Sequence, residues 1–265
     1  MIKPIISFIV IEYFSIDEVK NFISSLKSNI SSIEHEIIIS SNSCYDEKLQ
    51  VLARSSIPNA EWIFNKKNGG FAYGINQGLK IANGKYLVIS NPDVIISNGL
   101  ESMVKFMDDH YYIGAVGPQI IDKNGFIQDN CRKYVNVLRF LVRQFRRYFK
   151  NEPIIYERDF NYSLVQTVDW LSGSFIMVRR EVYIKTNGLD EKYFLYAEDL
   201  DWCTRIRQAG YEIVYFPEMK IFFSGSRKAR KKLVYALIFI KSHIRYWSKF
   251  GFFSEYPMRK NIVFN

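Results

Sequence analysis

The sequence predicts an α/β protein built around a mostly parallel central sheet. Short apolar runs rich in Ile and Val alternate with segments of helical periodicity through the first half of the chain. This βαβα order favours parallel strands joined by right-handed crossovers. Polar clusters follow the strands, and sheets of this kind bind ligands at the carboxyl ends of their strands.

The elements of the first half are expected in regular alternation. Asp17 and Glu18 suit the first turn of a helix. In chain order we predict a strand at 5–11, a helix at 16–29, a strand at 36–40, a helix at 47–55, a strand at 60–65, a helix at 71–82 and a strand at 86–90.

The second half is predicted to be less regular. Gly210 is expected to close a helix, and Pro217 to stop the strand after it. In chain order we predict a strand at 114–118, a turn at 123–125, a helix at 132–150, a loop at 151–163, a strand at 168–179, a helix at 198–209 and a strand at 211–216. A tail from Arg227 begins with a run of Lys and Arg and continues as an apolar helix to about Phe250.

Composition limits the class of protein. With 265 residues, 48% of them hydrophobic and 24% charged, the chain can bury one large core or two small ones and is not intrinsically disordered. The cysteines lack CxxC spacing and the three histidines are far apart, which argues against a disulfide framework, a zinc ribbon and a histidine-rich metal site. No apolar stretch approaches the roughly 18 residues of a transmembrane helix. The first apolar run is too short for a signal peptide, so we expect a cytosolic protein.

The net charge of +9 indicates an anionic partner: nucleic acid, acidic lipid or a phosphorylated ligand. Much of the excess lies in the segments 139–150 and 227–232, beside apolar stripes of helical spacing. No nucleic-acid-binding motif is present, so we do not expect a nucleic-acid partner.

Two acidic segments could carry chemistry. Asn91-Pro92-Asp93 follows a buried strand, where a carboxylate can hold Mg²⁺ or Mn²⁺ against a diphosphate, although a plain Pro-Asp turn is the alternative. Glu198, Asp199 and Asp201 suit a first helical turn. Three carboxylates so close also repel one another, and desolvation of one would suit general-base catalysis.

Two further segments could line a ligand pocket. The glycines of 68–78 permit close backbone approach to a ligand, but the segment matches neither a GxGxxG nor a Walker loop, which argues against NAD and ATP. Trp170 stands beside small residues and could form an apolar wall for a sugar ring. The alternatives are a helix start packed on a strand and ordinary core packing.

Taken together and in this order, these segments resemble family-2 glycosyltransferases of the GT-A fold, and among them the bacterial rhamnosyltransferases that build O-antigen and related polysaccharides. The resemblance spans residues 5–250. It rests on Asn68–Gly78, Asn91–Asp93, Val116–Pro118, Asp169–Phe175, Arg179–Glu181, Gly188–Asp201, Arg205–Tyr211 and Tyr215–Pro217. It implies a GT-A domain at 1–225, with a Rossmann-like nucleotide-sugar-binding half at 1–110 and an acceptor and catalytic half at 111–225. A basic amphipathic helical tail would follow at 226–265.

The resemblance also implies a role for each matching residue. Asp199 would be the catalytic base of an inverting transfer, with Glu198 as the other candidate, and Asp93 would hold a divalent cation, Mg²⁺ or Mn²⁺. The residues implied in nucleotide-sugar binding are Glu12, Ser41, Asn42, Gly70, Asn76, Asn91 and Asp93. Those implied in the sugar and acceptor pocket are Asp169, Trp170, Gly173 and Tyr196.

The chain departs from the family pattern at three places. Glu12 stands where the family has Thr and Ser41 where it has Asp, so we hypothesise that Glu12 accepts the N3–H of thymine or uracil. No His lies in 220–224, where the family often has one that helps to hold the metal. The dependence on metal is therefore open, and Arg227 or Lys228 could neutralise the diphosphate instead. The family's Tyr-Asn is Tyr13-Phe14 here. Together the three departures keep an inactive nucleotide-sugar-binding homologue as an alternative.

The resemblance implies partners as well. The implied donor is dTDP-L-rhamnose, with a UDP-sugar as the alternative. The implied acceptor is an oligosaccharide on undecaprenyl diphosphate at the inner leaflet of the cell membrane. The basic segments would then contact anionic lipid, or be merely solvated. A nucleotidyltransferase is less consistent, because its Gly-rich pyrophosphorylase loop is missing near the N-terminus.

Overall fold

The computed structural model describes residues 4–30, 33–128, 130–132, 136–137, 160–223, 233–252 and 262–264. Its strands are β1 Ile6–Glu12, β2 His35–Ser41, β3 Glu61–Phe64, β4 Tyr86–Ser90, β5 Val94–Asn98, β6 Ile113–Ile121, β7 Ile127–Gln128, β8 Cys131–Arg132, β9 Val165–Thr167, β10 Trp170–Leu171, β11 Phe175–Arg179, β12 Glu212–Phe223 and β13 Val263–Phe264. Its helices are α1 Ile16–Asn29, α2 Glu47–Ser56, α3 Gly70–Ile81, α4 Leu100–Asp109, α5 Arg180–Thr186, α6 Glu198–Gln208 and α7 Leu233–Phe250.

An 11-stranded sheet runs through the described residues in the order β13-β9-β12-β6-β11-β4-β1-β2-β3, with β5 also paired to β12 and β7 to β6. The half formed by β3, β2, β1 and β4 is parallel, as predicted, and has a Rossmann-like order. Beyond β4 the sheet is mixed, because β11 is antiparallel to both β4 and β6. The α/β prediction is therefore confirmed, but the mostly parallel sheet is correct only for the first half.

The core lies on both faces of this sheet. Alternate residues of β1 point to opposite faces, so Ile6 and Phe8 lie in one apolar cluster and Ile9 and Ile11 in the other. Helices α1 and α4 cover the first face, and α3 and α6 cover the second. This packing fixes the starts of α3 and α6 relative to the carboxyl ends of the parallel strands.

Most elements of the first half are confirmed to within one or two residues, and α1 and β4 agree with their predicted bounds. Strand β5 and helix α4, by contrast, were not predicted. β5 is short and pairs with β12, which follows more than a hundred residues later in the chain, so its pairing has no local signal. Gly99, with a φ of +83°, makes the tight connection between β5 and α4.

Three predictions for the second half are wrong. The strand expected at 168–179 is split into β10 and β11, because Gly173 and Ser174 form a turn between them. Pro217 does not stop β12, since the strand continues to Phe223 through an irregular register between Phe216 and Lys220 that leaves no ladder position for the proline. The helix expected from Arg132 does not begin there, because Arg132 pairs with Trp170 in β8.

The C-terminal region is described in part. The apolar helix predicted up to Phe250 is present as α7. The basic segments 139–150 and 227–232, and most of the loop at 151–163, lie outside the described residues. Among the helices that the structure describes, none is long and apolar enough to cross a lipid bilayer.

Candidate active site

The carboxyl ends of β1 and β2 meet at a buried carboxylate. Glu12 and Ser41 are paired across the two strands, and both are fully buried. The Glu12 carboxylate accepts hydrogen bonds from the hydroxyls of Ser41, Ser43 and Tyr45 and from the backbone N–H of Ser15. The expected contact of Glu12 with a thymine or uracil ring is not supported, since that contact needs an accessible carboxylate oxygen. Glu12 instead ties together the loops that follow β1 and β2.

Asn42 connects these loops to the start of α3. Its side-chain amide donates a hydrogen bond of 2.9 Å to the backbone oxygen of Gly70. Its side-chain oxygen accepts one of 2.9 Å from Asn65. Only 2% of Asn42 is exposed, so it supports α3 from below and does not line an open pocket.

Gly70 brings α3 against the loop that leads into α6. Its φ of +88° is in the left-handed region, and a Cβ placed on it would lie 2.0 Å from the backbone oxygen of Phe194. The N–H of Phe71 donates a hydrogen bond of 2.9 Å to that same oxygen. A glycine is therefore required here both by the backbone conformation and by the close approach of the two segments.

The turn at Gly173 lies between Asp199, the proposed base, and the end of β4. Its backbone N–H donates a hydrogen bond of 2.8 Å to Oδ2 of Asp199, and Oδ1 of Asp199 accepts one of 2.8 Å from the N–H of Leu200. The N–H of Asn91 donates to the backbone oxygen of Ser174, which neighbours Gly173. The predicted residues Asn91, Gly173 and Asp199 are thus brought together at the carboxyl end of β4.

Glu198 lies beside Asp199 in a different environment. It is buried, and its Oε2 has no hydrogen-bond partner within the described residues. Burial, and then the nearby charge of Asp199, raise the pKa of the Glu198 carboxyl well above its usual range. Glu198 therefore favours its protonated form, while Asp199 is half-buried and hydrogen-bonded to two backbone N–H groups.

Asp93 follows β4 directly and fits a role in holding a divalent cation. Burial is the main cause that raises the pKa of Asp93 to about 6, and the charge of Glu18 adds to it. A bound cation would remove this unfavourable burial of negative charge. Within the described residues no three or more His, Cys, Asp or Glu side chains are grouped to hold a metal ion. A single carboxylate is compatible with Mg²⁺, which often binds through one or two carboxylates, water and substrate phosphates.

Two predicted pocket residues have structural roles. The side chain of Asn76 bonds to both the N–H and the C=O of Leu189, so it fastens α3 to the loop before α6. It also borders a cavity of about 490 Å³, whose lining includes neither Asp93 nor Asp199. Asp169 forms a half-buried ion pair with Arg207.

The remaining two lie near the proposed base, in the same part of the fold. Trp170 is half-buried in β10, three residues before Gly173 and its turn. Tyr196 is half-buried just before α6, with its ring 5.4 Å from that of Phe239 in α7. Both positions are compatible with a pocket wall.

Sequence reasoning missed the residues that hold these groups in place. The hydroxyls of Ser43 and Tyr45 donate hydrogen bonds to Glu12. The backbone oxygen of Phe194 accepts one from the N–H of Phe71 at the start of α3. Ser43 could have been found from the polar cluster Ser41-Asn42-Ser43, to which it belongs. Tyr45 had no signal. Phe194 lies in the matched segment 188–201 and was expected beside the sugar site, but its contact with α3 depends on how separate loops meet.

The comparisons with known proteins agree with this fold. The family model described as Glycosyl transferase family 2 matches residues 7–186. Rhamnosyltransferase WbbL of Escherichia coli K12 is 24% identical over 219 residues, which are 79% of each chain. An N-acetylglucosaminyl-diphospho-decaprenol L-rhamnosyltransferase of Mycobacterium tuberculosis is 29% identical over 140 residues, 51% of this chain and 46% of that protein. The mannosyltransferase PcManGT from Pyrobaculum calidifontis, solved with GDP-Man and Mn²⁺, superposes with a TM-score of 0.63 at 16% identity, over 97% of this chain and 67% of that one.

Proposed function

The chain belongs to glycosyl transferase family 2, and from this membership we propose that it transfers L-rhamnose from dTDP-L-rhamnose to a lipid-linked oligosaccharide. The product would be part of an O-antigen or another cell-surface polysaccharide. The rhamnosyltransferase names of two relatives support the sugar. The observation that carries the reaction is the meeting of Asp199 with Gly173 at the end of β4.

In the proposed mechanism Asp199 is the general base. It takes the proton of an acceptor hydroxyl while the hydroxyl oxygen bonds to the anomeric carbon and the nucleoside diphosphate leaves from the opposite face. The N–H groups of Gly173 and Leu200 hold the carboxylate in one orientation for this step. Glu198 is less suited to it, because it is buried and its Oε2 makes no hydrogen bond within the described residues, whereas two backbone N–H groups orient the Asp199 carboxylate.

Asp93 is the residue proposed to hold a divalent cation. When bound, such an ion neutralises charge that develops on the leaving diphosphate. The Mn²⁺ in the mannosyltransferase neighbour supports a cation in this fold, and the choice between Mg²⁺ and Mn²⁺ is part of the test below. Exposed rings of Tyr13 and Phe14, next to Glu12, offer a flat apolar surface for the nucleobase.

The acceptor proposed for this chain is an oligosaccharide on undecaprenyl diphosphate, at the cytoplasmic face of the cell membrane. The decaprenol-linked acceptor in the name of one relative supports a polyprenyl carrier. A UDP-sugar is the alternative donor, because uracil carries the same N3–H as thymine and differs from it only by a methyl group. A homologue that binds nucleotide sugars without transferring them is the second alternative, favoured by the departures at Glu12 and Ser41.

A nucleotide-sugar panel read by thermal shift, with and without Mg²⁺ or Mn²⁺, tests donor and cation together. We expect dTDP-L-rhamnose to give the largest shift, and a larger shift from a UDP-sugar would overturn the donor assignment. Transfer to a synthetic polyprenyl-diphosphate acceptor is then measured for two neighbouring isosteric variants. Asp199→Asn should lower kcat by roughly 10²- to 10⁴-fold and leave the donor shift intact.

Glu198→Gln is the matched control, since it makes the same isosteric carboxyl-to-amide change at the neighbouring residue. It should retain most of the activity. If Glu198→Gln is inactive and Asp199→Asn is active, the base assignment is wrong. If the wild type binds the donor but neither transfers nor hydrolyses it, the chain is a binding homologue.

A further inference from the structure

Helix α7 presents an aliphatic stripe to solvent. Leu233, Leu237, Ile240 and Ile244 are 76%, 59%, 51% and 48% exposed. Their spacing of four, three and four residues places them on one face of the helix, across three turns. Single exposed apolar residues are ordinary on a protein surface, but four in line on one helix form a continuous apolar surface. We name these four residues the α7 stripe.

The opposite face of α7 is held against α6 and the loop before it by hydrogen bonds and an ion pair. The orientation of the stripe is therefore fixed by these contacts. Ser242 donates a hydrogen bond of 2.8 Å to the backbone oxygen of Leu195. The hydroxyls of Tyr246 and Thr204 are 2.9 Å apart. The ammonium of Lys249 lies 2.6 Å from the carboxylate of Asp201, which is fully buried in α6. These contacts fix α7 on the catalytic helix and on the loop before it, with the stripe facing outward.

The charge around α7 indicates what would cover the stripe. In the sequence, a run of Lys and Arg at 227–232 comes directly before Leu233. The first turn of α7 holds no acidic residue. Lys241, exposed between Ile240 and Ile244, adds a further cation beside the stripe. Aliphatic residues beside cations suit a bilayer surface, which has an apolar interior and anionic head groups.

We infer that the α7 stripe docks on an anionic lipid bilayer, with α7 lying in the plane of the head groups. This inference rests on the proposed function, because a lipid-linked acceptor is presented at such a surface. Aliphatic side chains of an interfacial helix insert at the head-group boundary, while nearby cations attract anionic lipid. Because the same helix contacts Leu195 and α6, docking would hold the Asp199 region close to the bilayer.

Vesicle sedimentation of the full chain tests the inference. The wild type should bind vesicles of phosphatidylglycerol and phosphatidylethanolamine and should bind pure phosphatidylcholine far more weakly, with the difference reduced by salt. The double variant Leu237→Gln/Ile240→Gln keeps the charge and the helix propensity and removes half of the stripe. We expect it to lower the partition coefficient by about tenfold or more.

The matched control is Val51→Gln/Leu52→Gln in α2, which removes two equally exposed aliphatic side chains elsewhere on the surface. It should bind vesicles like the wild type. Equal loss in both double variants, or no loss in the α7 variant, would overturn the inference. So would a wild type that is a dimer in solution and becomes monomeric through the α7 substitutions, because a second copy would then cover the stripe.

Two measurements separate this inference from the proposed function. The α7 variant should give the same donor-induced thermal shift as the wild type, and it should transfer sugar to a short-chain soluble acceptor at the wild-type rate. Asp199→Asn should bind vesicles normally and transfer sugar roughly 10²- to 10⁴-fold more slowly than the wild type. A wild type that binds vesicles through the stripe but shows no transfer would contradict the proposed function and leave the docking face in place.

Discussion

Two carboxyl groups of the site, those of Asp93 and Glu198, lie where burial disfavours their charge. Burial raises the pKa of both, to about 6 for Asp93. Such positions lower the stability of the folded chain at neutral pH, because the charged form loses its hydration. Destabilising acids gathered at one end of a sheet are typical of functional sites.

Asp93→Asn should therefore stabilise the protein in alkaline and neutral solution. The raised pKa means that the folded state binds the proton more tightly than the unfolded state. Asp93 thus costs little near pH 4 and becomes destabilising as the pH rises through about 6. We expect the variant to raise the free energy of unfolding by roughly 1–3 kcal/mol at pH 8, and not at pH 4. Urea unfolding at the two pH values measures this.

Asp17→Asn is the control for that substitution, because Asp17 is exposed in α1, where it forms a surface ion pair with Lys20. It should change the stability by a few tenths of a kcal/mol. Equal stabilisation of Asp93→Asn at both pH values would show that the carboxylate is not penalised by burial.

At this scale the sequence predicted positions along the chain better than it predicted the surroundings of side chains. Asp93, Gly173 and Asp199 lie at the expected edge of the sheet. Glu12 and Asn42 lie there too, but their side chains face inward, and each is saturated by hydrogen bonds to neighbouring loops. A strand end identifies an edge. Whether the last side chain of a strand faces an open cleft or the buried side of a helix depends on tertiary packing, which the hydrophobic pattern of the sequence does not specify.

Among the elements, α3 depends most on a single residue at its start. Gly70→Ala should combine a strained backbone with a clash against Phe194, so we expect a loss of about 2 kcal/mol or more in the free energy of unfolding. Separation of α3 from the loop before α6 should also lower transfer activity. Chemical unfolding together with the transfer assay measures both effects.

Gly125→Ala separates the two causes. Gly125 has a similar φ of +83°, but a Cβ there would meet nothing within 4 Å. This variant should lose only the conformational part, about 1 kcal/mol, and keep full activity. If the two variants lose equal stability, the contact with Phe194 does not contribute.

The elements that sequence analysis found are those with local signals. Helix α1 shows apolar spacing and an acidic first turn, and β4 is a compact apolar run, so both agree with the prediction. Strand β12 continues through Pro217 because β6 lies alongside it on both sides of the irregularity. Neighbouring strands thus override a local stop signal, and no reading of residues 211–223 alone contains that information.

Across the whole molecule, one sheet passes through both proposed halves, 1–110 and 111–225. β4 of the first half pairs with β11 of the second, and both apolar clusters draw residues from each half. We therefore predict that the halves unfold together in a single transition, in spite of their different proposed roles in donor and acceptor binding.

Tryptophan fluorescence tests this cooperativity. The chain has four tryptophans, of which Trp62 lies in the first half and Trp202 in the second, both buried. In variants that keep only one of them, with Phe at the other three positions, the urea midpoint from fluorescence should equal that from far-UV circular dichroism in the same variant. Different midpoints within one variant would show that the halves unfold separately.

The borders of the large sheet also bear on how the protein behaves in concentrated solution. A sheet edge offers unpaired backbone groups with which another chain can form intermolecular β-structure. At the described borders of the sheet few unpaired backbone groups are available, because β3 has four residues and β13 has two. Glu61, exposed at the start of β3, places a charge on that border. An extended sheet with such short rims resists fibril-like aggregation.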